Sequence, residues 1–200
     1  MLEYSIYHVE ELSSPLLNNL AGLCERAFGN DPRFKLLAKS NPTFIAPFFL
    51  ALLSVAYQEG EVYVVVPHGW ELPVSVAVWL PPGKALRSTN KQPSSMFDEL
   101  VEKMGFGSAE SVDVTEIKKN LTENFFPDNT ASWSLILVAT DLPYQGKGIA
   151  SALIMHQVAK LKENKTFVSL CATNERIYRW LERLAFTVRG LGGSTGAYST

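Results

Sequence analysis

The sequence predicts one domain of mixed α and β structure, and three observations carry that reading. An apolar run at Leu135-Ile136-Leu137-Val138, too short and too β-branched for a helix, passes through a glycine-bearing turn into a strong helical period. A second apolar run, Thr166 to Ala172, leads into a second helical period, giving a strand-helix-strand-helix unit. Upstream, Glu61 to Val66 and Val74 to Leu80 flank Pro67-His68-Gly69-Trp70-Glu71-Leu72-Pro73 and read as an antiparallel hairpin.

In chain order, Ser5 to Val9 forms a first strand. Pro15 to Phe28 shows a helical period through Leu16, Leu20, Leu23, Cys24 and Phe28. Asn41-Pro42 starts another helix, whose apolar stretch Phe44 to Ala56 falls short of the roughly 20 residues that span a bilayer; it is a buried helix or a gate, not an anchor. In the hairpin, Val74, Val76 and Val78 alternate with Ser75 and Ala77. Ser88 to Asn129 is the least regular segment, with helices expected near Phe97 to Met104 and Val114 to Asn124. The chain is therefore read as a single domain, 1–200, with a helical insertion at about 84–130 before the fourth strand.

Pro143 ends that strand's run, and the turn Gln145-Gly146-Lys147-Gly148-Ile149-Ala150 follows. Beyond it Ile149, Leu153, Ile154, Val158 and Leu161 recur at helical spacing, leaving Gln157, Lys160 and Lys162 for the wet side. The glycines thus sit at a helix N-terminus. The first amides there lack intrahelical partners, the dipole is positive, and two missing Cβ atoms let an anion approach. A Walker-type loop is excluded, since Gly146-Lys147-Gly148 lacks the earlier glycine and the following hydroxyl residue. A dinucleotide fingerprint fails as well, because Ser151 stands where a third glycine is needed. After the strand Thr166 to Ala172, Thr173-Asn174 supplies helix-start chemistry, and Ile177, Trp180, Leu181 and Leu184 turn inward.

The turn resembles the pattern Gln/Arg-x-x-Gly-x-Gly/Ala of the GNAT superfamily of N-acetyltransferases, filled here by Gln145, Gly148 and Ala150. Asn174, Tyr178 four residues later, and Leu184-Ala185-Phe186 in place of the family's Leu-Gly-Phe extend the resemblance, as does Val-Trp-Leu-Pro-Pro-Gly at the third-strand exit. It implies an α+β, three-layer fold: a mixed, mostly antiparallel twisted sheet with helices on both faces and a splayed central parallel pair. It implies acetyl-coenzyme A as co-substrate, with pantetheine on the backbone of Val138, Ala139 and Thr140. The pyrophosphate would take the amides of Gly146, Lys147, Gly148, Ile149 and Ala150, with Gln145 holding the loop or touching the phosphate. Asn174 belongs to the same coenzyme site.

Chemistry requires a deprotonated amine and a proton for the departing thiolate. Tyr178 is the candidate acid, since a phenol's pKa near ~10 suits a thiolate. Some relatives carry a Glu base eleven residues before the loop's Gln, where this chain has Ser134. A serine takes no proton unaided at neutral pH, so the amine loses it to ordered water or arrives neutral. Trp133, beside Ser134, lines the expected acceptor channel, and Trp70 and Trp79 read as core or pocket-wall aromatics. The family usually ends on a hydrophobic seventh strand. Here only a glycine-rich tail follows Val188, so that strand is expected short or missing, with an open edge for a partner chain.

With 46% hydrophobic residues over 200 positions the chain can bury a sizeable core, and no linker divides it. The net charge of −2 and short lysine runs at Lys118-Lys119 and Lys160-Lys162-Lys165 exclude an extended nucleic-acid footprint. His8, His68 and His156 are dispersed, so no metal is expected, and His156 reads as a surface residue. The start Met1-Leu2-Glu3-Tyr4 lacks a basic n-region, and Cys24 and Cys171 read as reduced packing residues, with a bridge as the alternative. The expectation is a cytoplasmic monomer or homodimer acetylating a primary amine on a small molecule or peptide, without membrane association. The competing expectation is a non-catalytic acyl-coenzyme A sensor.

Overall fold

Successive residues of a strand face opposite sides of the sheet, and in this chain both sides are apolar. The computed structural model describes residues 2–31, 45–84, 132–163, 168–172, 175–192 and 195–199. Its elements are β1 (Tyr4–His8), α1 (Ser14–Phe28), α2 (Ile45–Glu59), β2 (Glu61–Pro67), β3 (Ser75–Leu80), β4 (Trp133–Thr140), a 3-10 turn (Leu142–Tyr144), α3 (Ile149–Glu163), β5 (Val168–Ala172), α4 (Glu175–Arg183), β6 (Thr187–Gly192) and β7 (Thr195–Ser199). Apart from Lys84, the expected helical insertion lies outside the described residues, as does Asn174.

Val62, Val64, Val76 and Val78 pack on one face against Leu20, Leu23 and Cys24 of α1 and Phe48, Phe49 and Leu53 of α2. Their neighbours Tyr63, Val65, Ala77 and Trp79 pack on the other face against Ile149, Leu153 and Val158 of α3 and Leu181 of α4. Three layers result, and burial on both faces explains the unbroken apolar runs of β2 and β3. Ser13 caps α1, accepting from the Leu16 amide at 3.4 Å, and Pro15 fits the first turn because its missing amide hydrogen is not needed there. Cys24 is a free thiol in this core, and burial pushes its pKa well above the ordinary thiol range. Among the described residues no helix is long and apolar enough to cross a membrane.

Among the described residues the strand order is β1-β2-β3-β4-β5-β7-β6. All neighbours are antiparallel except β4 and β5, which run parallel. That parallel pairing covers only Trp133 to Leu135 against Val168 to Leu170. Beyond it, Cys171 and Ala172 pair with β7, while β4 continues alone on that side to Thr140. The central pair therefore splays. On the other side of β4, Val78 faces Leu137 and Trp79 faces Leu135, so Ile136 is a bulged residue at the point of divergence.

One expectation is settled and a second corrected. The seventh strand, expected short or missing, is short and present: β7 spans five residues and inserts between β5 and β6, which leaves β6 as the edge among the described residues. Its sequence, Thr195-Gly196-Ala197-Tyr198-Ser199, offers little apolar pattern, because a glycine, a threonine and a serine fill three of the five positions. Gln157 does not face water. It is 2% exposed, and its amide donates to Glu61 Oε2 at 2.9 Å. Its spacing of four from Leu153 and Leu161 places it on the buried stripe, where the carboxylate of β2 supplies the partner that a buried amide requires. Of the tryptophans, Trp79 is fully buried, whereas Trp70 is 56% exposed on the hairpin turn.

Candidate active site

β4 and α3 are joined by a loop held at both of its bends. Asp141 opens it, its carboxylate accepting from the Leu142 amide at 2.9 Å, the Asx chemistry that starts a turn. Gln145 Nε2 reaches back to the Thr140 carbonyl at 2.9 Å, so the glutamine holds the loop. Gly146 and Gly148 then take φ of 73° and 78°, the left-handed region that a side chain disfavours. Among the described residues a Cβ at either glycine would meet nothing within 4 Å, so open space lies beside both. Among the described residues nothing accepts from the backbone amides of Gly146 to Ser151, and the first bond of α3 runs from the Ala152 amide to the Gly148 carbonyl at 2.9 Å. Unpaired amides, open space and a helix start form a cradle whose geometry suits an anion.

Ile149 is buried and anchors the helix start in the core, and Trp180 Nε1 of α4 donates to Ser151 Oγ at 2.9 Å, pinning the same turn from the second helix. Lys147 Nζ lies 5.3 Å from the centre of the Tyr144 ring, a cation–π contact at the cradle's rim. Val138, Ala139 and Thr140 pair with Ala77, Val76 and Ser75 on one side, and among the described residues their backbone groups on the β5 side have no strand partner. The cradle and this open strand edge are continuous.

Ser134 and Trp133 sit at the opposite end of β4, where the strands meet. Ser134 is buried and its hydroxyl lies 3.0 Å from that of Ser169, which also accepts from Ser132 at 2.9 Å. Among the described residues no titratable group bonds to this hydroxyl cluster. Trp133 is half-buried beside it, against the core of α3 and α4. Tyr178 packs against the same core, and its hydroxyl donates to Glu182 Oε1 at 2.7 Å, one turn further along α4. Among the described residues no group of three or more His, Cys, Asp or Glu stands together as a metal site.

Sequence reasoning missed one partner. Asp141 is clasped by Arg26 of α1, with Nη2 2.7 Å from Oδ2 and Nε 3.0 Å from Oδ1. The guanidinium holds the Asp141 carboxyl below the usual carboxylate range. Asp141 before Leu142-Pro143 carried a readable turn signal, but nothing in the sequence pointed to Arg26, 115 residues away. Behind the clasp, Asn19, Trp70, Glu71 and Tyr144 border a cleft of about 430 Å³ between α1, the hairpin turn and the loop.

A splayed parallel pair, a bulged β4 and a glycine cradle leading into α3 define the chain as having the fold of the GNAT N-acetyltransferases. An acetyltransferase of Corynebacterium glutamicum, described as histone acetyltransferase HPA2 and related acetyltransferase, superposes with TM-score 0.61 at 19% identity, over 99% of this chain and 95% of that one. A GNAT family acetyltransferase from Brucella melitensis in complex with acetyl-CoA gives TM-score 0.52 at 13% identity, covering 100% and 89%. The ribosomal-protein-S18-alanine N-acetyltransferase of Escherichia coli gives 0.50 at 13% identity, covering 98% and 90%. No family model and no curated protein matches the sequence.

Proposed function

We propose that this protein transfers an acetyl group from acetyl-coenzyme A to a primary amine of a small molecule or peptide. The observation that carries the reading is the run of unpaired amides from Gly146 to Ser151, set beside open space and continuous with the free edge of β4. These amides suit a pyrophosphate, and the free edge suits the amides of a pantetheine arm. From Ile136 to Asp141, five residue steps at ~3.3 Å give roughly 17 Å of strand for an extended arm. Bound acetyl-coenzyme A supplies an activated thioester carbonyl.

In the transfer, the C–N bond forms, the C–S bond breaks, and one proton passes from the amine side to the thiolate. Tyr178 is assigned to protonate the thiolate, and Asn174 to the coenzyme side of the same helix mouth. Trp133 and Ser134 would border the acceptor. Among the described residues the hydrogen-bond partners in the Ser134 cluster are hydroxyls, so no side chain is assigned as base, and the amine arrives neutral or loses its proton to water. The free Cys24 accords with a cytoplasmic protein, acting as a monomer or homodimer. The competing reading is a coenzyme A sensor, favoured by the Tyr178 hydroxyl already engaged by Glu182 and by Ser134 engaged by Ser169.

An amine panel with thiol-release detection, alongside calorimetry of acetyl-coenzyme A, separates the two. The transferase binds the thioester and releases thiol with at least one amine, at a rate that climbs with pH toward the amine's own pKa near ~10. Binding without release makes it a sensor. No binding sinks both. A bell-shaped profile with a limb near neutrality would contradict the absence of a side-chain base.

A further inference from the structure

We propose that Arg26 is a positioning residue for the coenzyme loop: its clasp on Asp141 ties the loop to α1 and keeps the amides of Gly146 to Ser151 convergent. The inference rests on the coenzyme site proposed above. Asp141 is a junction of three elements. Its Oδ1 accepts from Arg26 Nε at 3.0 Å and from the Leu142 amide at 2.9 Å, and its Oδ2 accepts from Arg26 Nη2 at 2.7 Å. Its own amide donates to the Val74 carbonyl, just before β3, at 2.9 Å.

The loop needs such a tie because it has few of its own. Between Asp141 and α3 the side-chain bond that returns to the strand is Gln145 to Thr140, and the glycines that follow add conformational freedom. α1 is a firm anchor: its Leu20, Leu23 and Cys24 are fully buried. A planar guanidinium fork transmits direction as well as charge, which a lysine ammonium cannot. The Arg26 side chain is itself 51% exposed, so the pair adds little to global stability, and its effect falls on loop geometry. An anion site gains affinity when its donors are held in place before binding.

Hydrogen exchange on the coenzyme-free protein and steady-state kinetics test the proposal together. In Arg26→Met, amides of 142–151 should exchange faster while those of α1 keep their protection. KM for acetyl-coenzyme A should rise about threefold to tenfold with kcat nearly unchanged, in the range of couplings within one polar network. Arg26→Lys should recover part of the loss, Asp141→Asn should match Arg26→Met, and the double variant should be no worse than either single one. Unchanged loop exchange in Arg26→Met overturns the proposal whatever the kinetics. Faster exchange confined to α1, or a fall in kcat at constant KM, overturns it as well. If the parent protein fails to bind acetyl-coenzyme A, the transferase reading falls, while the exchange comparison still decides whether Arg26 orders the loop.

Discussion

Single residues set local limits that the sequence pattern does not display. A Cβ built on Gly60, between α2 and β2, falls on the carbonyl oxygen of Trp79 and lies 2.9 Å from Leu80 Cδ2. Neither the backbone nor the packed Trp79 can give way, so Gly60→Ala should lose about 3 kcal/mol, the upper end for overpacking, by urea denaturation. A loss below about 1 kcal/mol would mean that β3 shifts freely. The reverse case is Ala185. The Phe186 amide bonds the Leu181 carbonyl at 3.1 Å and the Ala185 amide bonds the Glu182 carbonyl at 3.0 Å, which is a Schellman motif with Ala185 at φ 65°. An alanine there is strained by about 1 kcal/mol or more, so Ala185→Gly should raise Tm by about 2–4 °C in a scanning calorimeter. The sequence carried this one openly, as an alanine where Leu-Gly-Phe is expected. Tyr178 is a third case. If it protonates the thiolate, Tyr178→Phe lowers kcat by ~10²–10⁴ at near-constant KM for acetyl-coenzyme A. A drop within about threefold would leave it a packing residue that serves Glu182.

At the scale of elements, legibility followed periodicity. Strands β2, β3 and β4 and helices α1 and α3 stood out because apolar residues recur at two or at 3.6, and their ends fell within a few residues of expectation. The cradle was readable because glycine and Gln145 chemistry is local in sequence. What stayed hidden is non-local: Gln157 finding Glu61 under α3, and Arg26 finding Asp141 across two elements. The clasp has a pH signature of known sign. Arg26 lowers the folded-state pKa of Asp141, so in the acid range the folded chain binds fewer protons than the unfolded one and stability rises with pH. The contribution is complete above the ordinary Asp range near ~4 and vanishes as pH falls through the depressed value. The Tm difference between parent and Asp141→Asn, small because Arg26 is half-exposed, should therefore be flat from about pH 5 to 8 and close below about pH 4. A gap that persists unchanged at about pH 2.5 would assign the effect to packing, not to charge.

Over the whole molecule, one sheet divides two apolar layers, and the opening between β4 and β5 exists because each strand has a different second neighbour. β5 leaves β4 after Leu170 to pair with β7, while β4 stays with β3 through Thr140. The sequence pointed to the two layers through its apolar runs but not to this exchange of partners, since β7 is a glycine-bearing segment whose ladder is made by backbone groups. Its position in the order gives it more weight than its five residues suggest. β7 bonds β5 on one side and β6 on the other, so removing it strips two strands of their ladders at once. Deleting residues 195–200 would leave β6 paired to nothing and expose the edge of β5 at Cys171 and Ala172. An edge strand removed from a sheet costs one ladder, but this interior strand costs two, and unpaired edges promote association. The truncated chain should melt at least ~8 °C below the parent, a loss of roughly 3 kcal/mol or more for a domain of this length, and should sediment as oligomers. A monomeric truncation melting within about 2 °C of the parent would mean that the sheet ends functionally at β5, and that the splay is maintained by the Ile136 bulge alone.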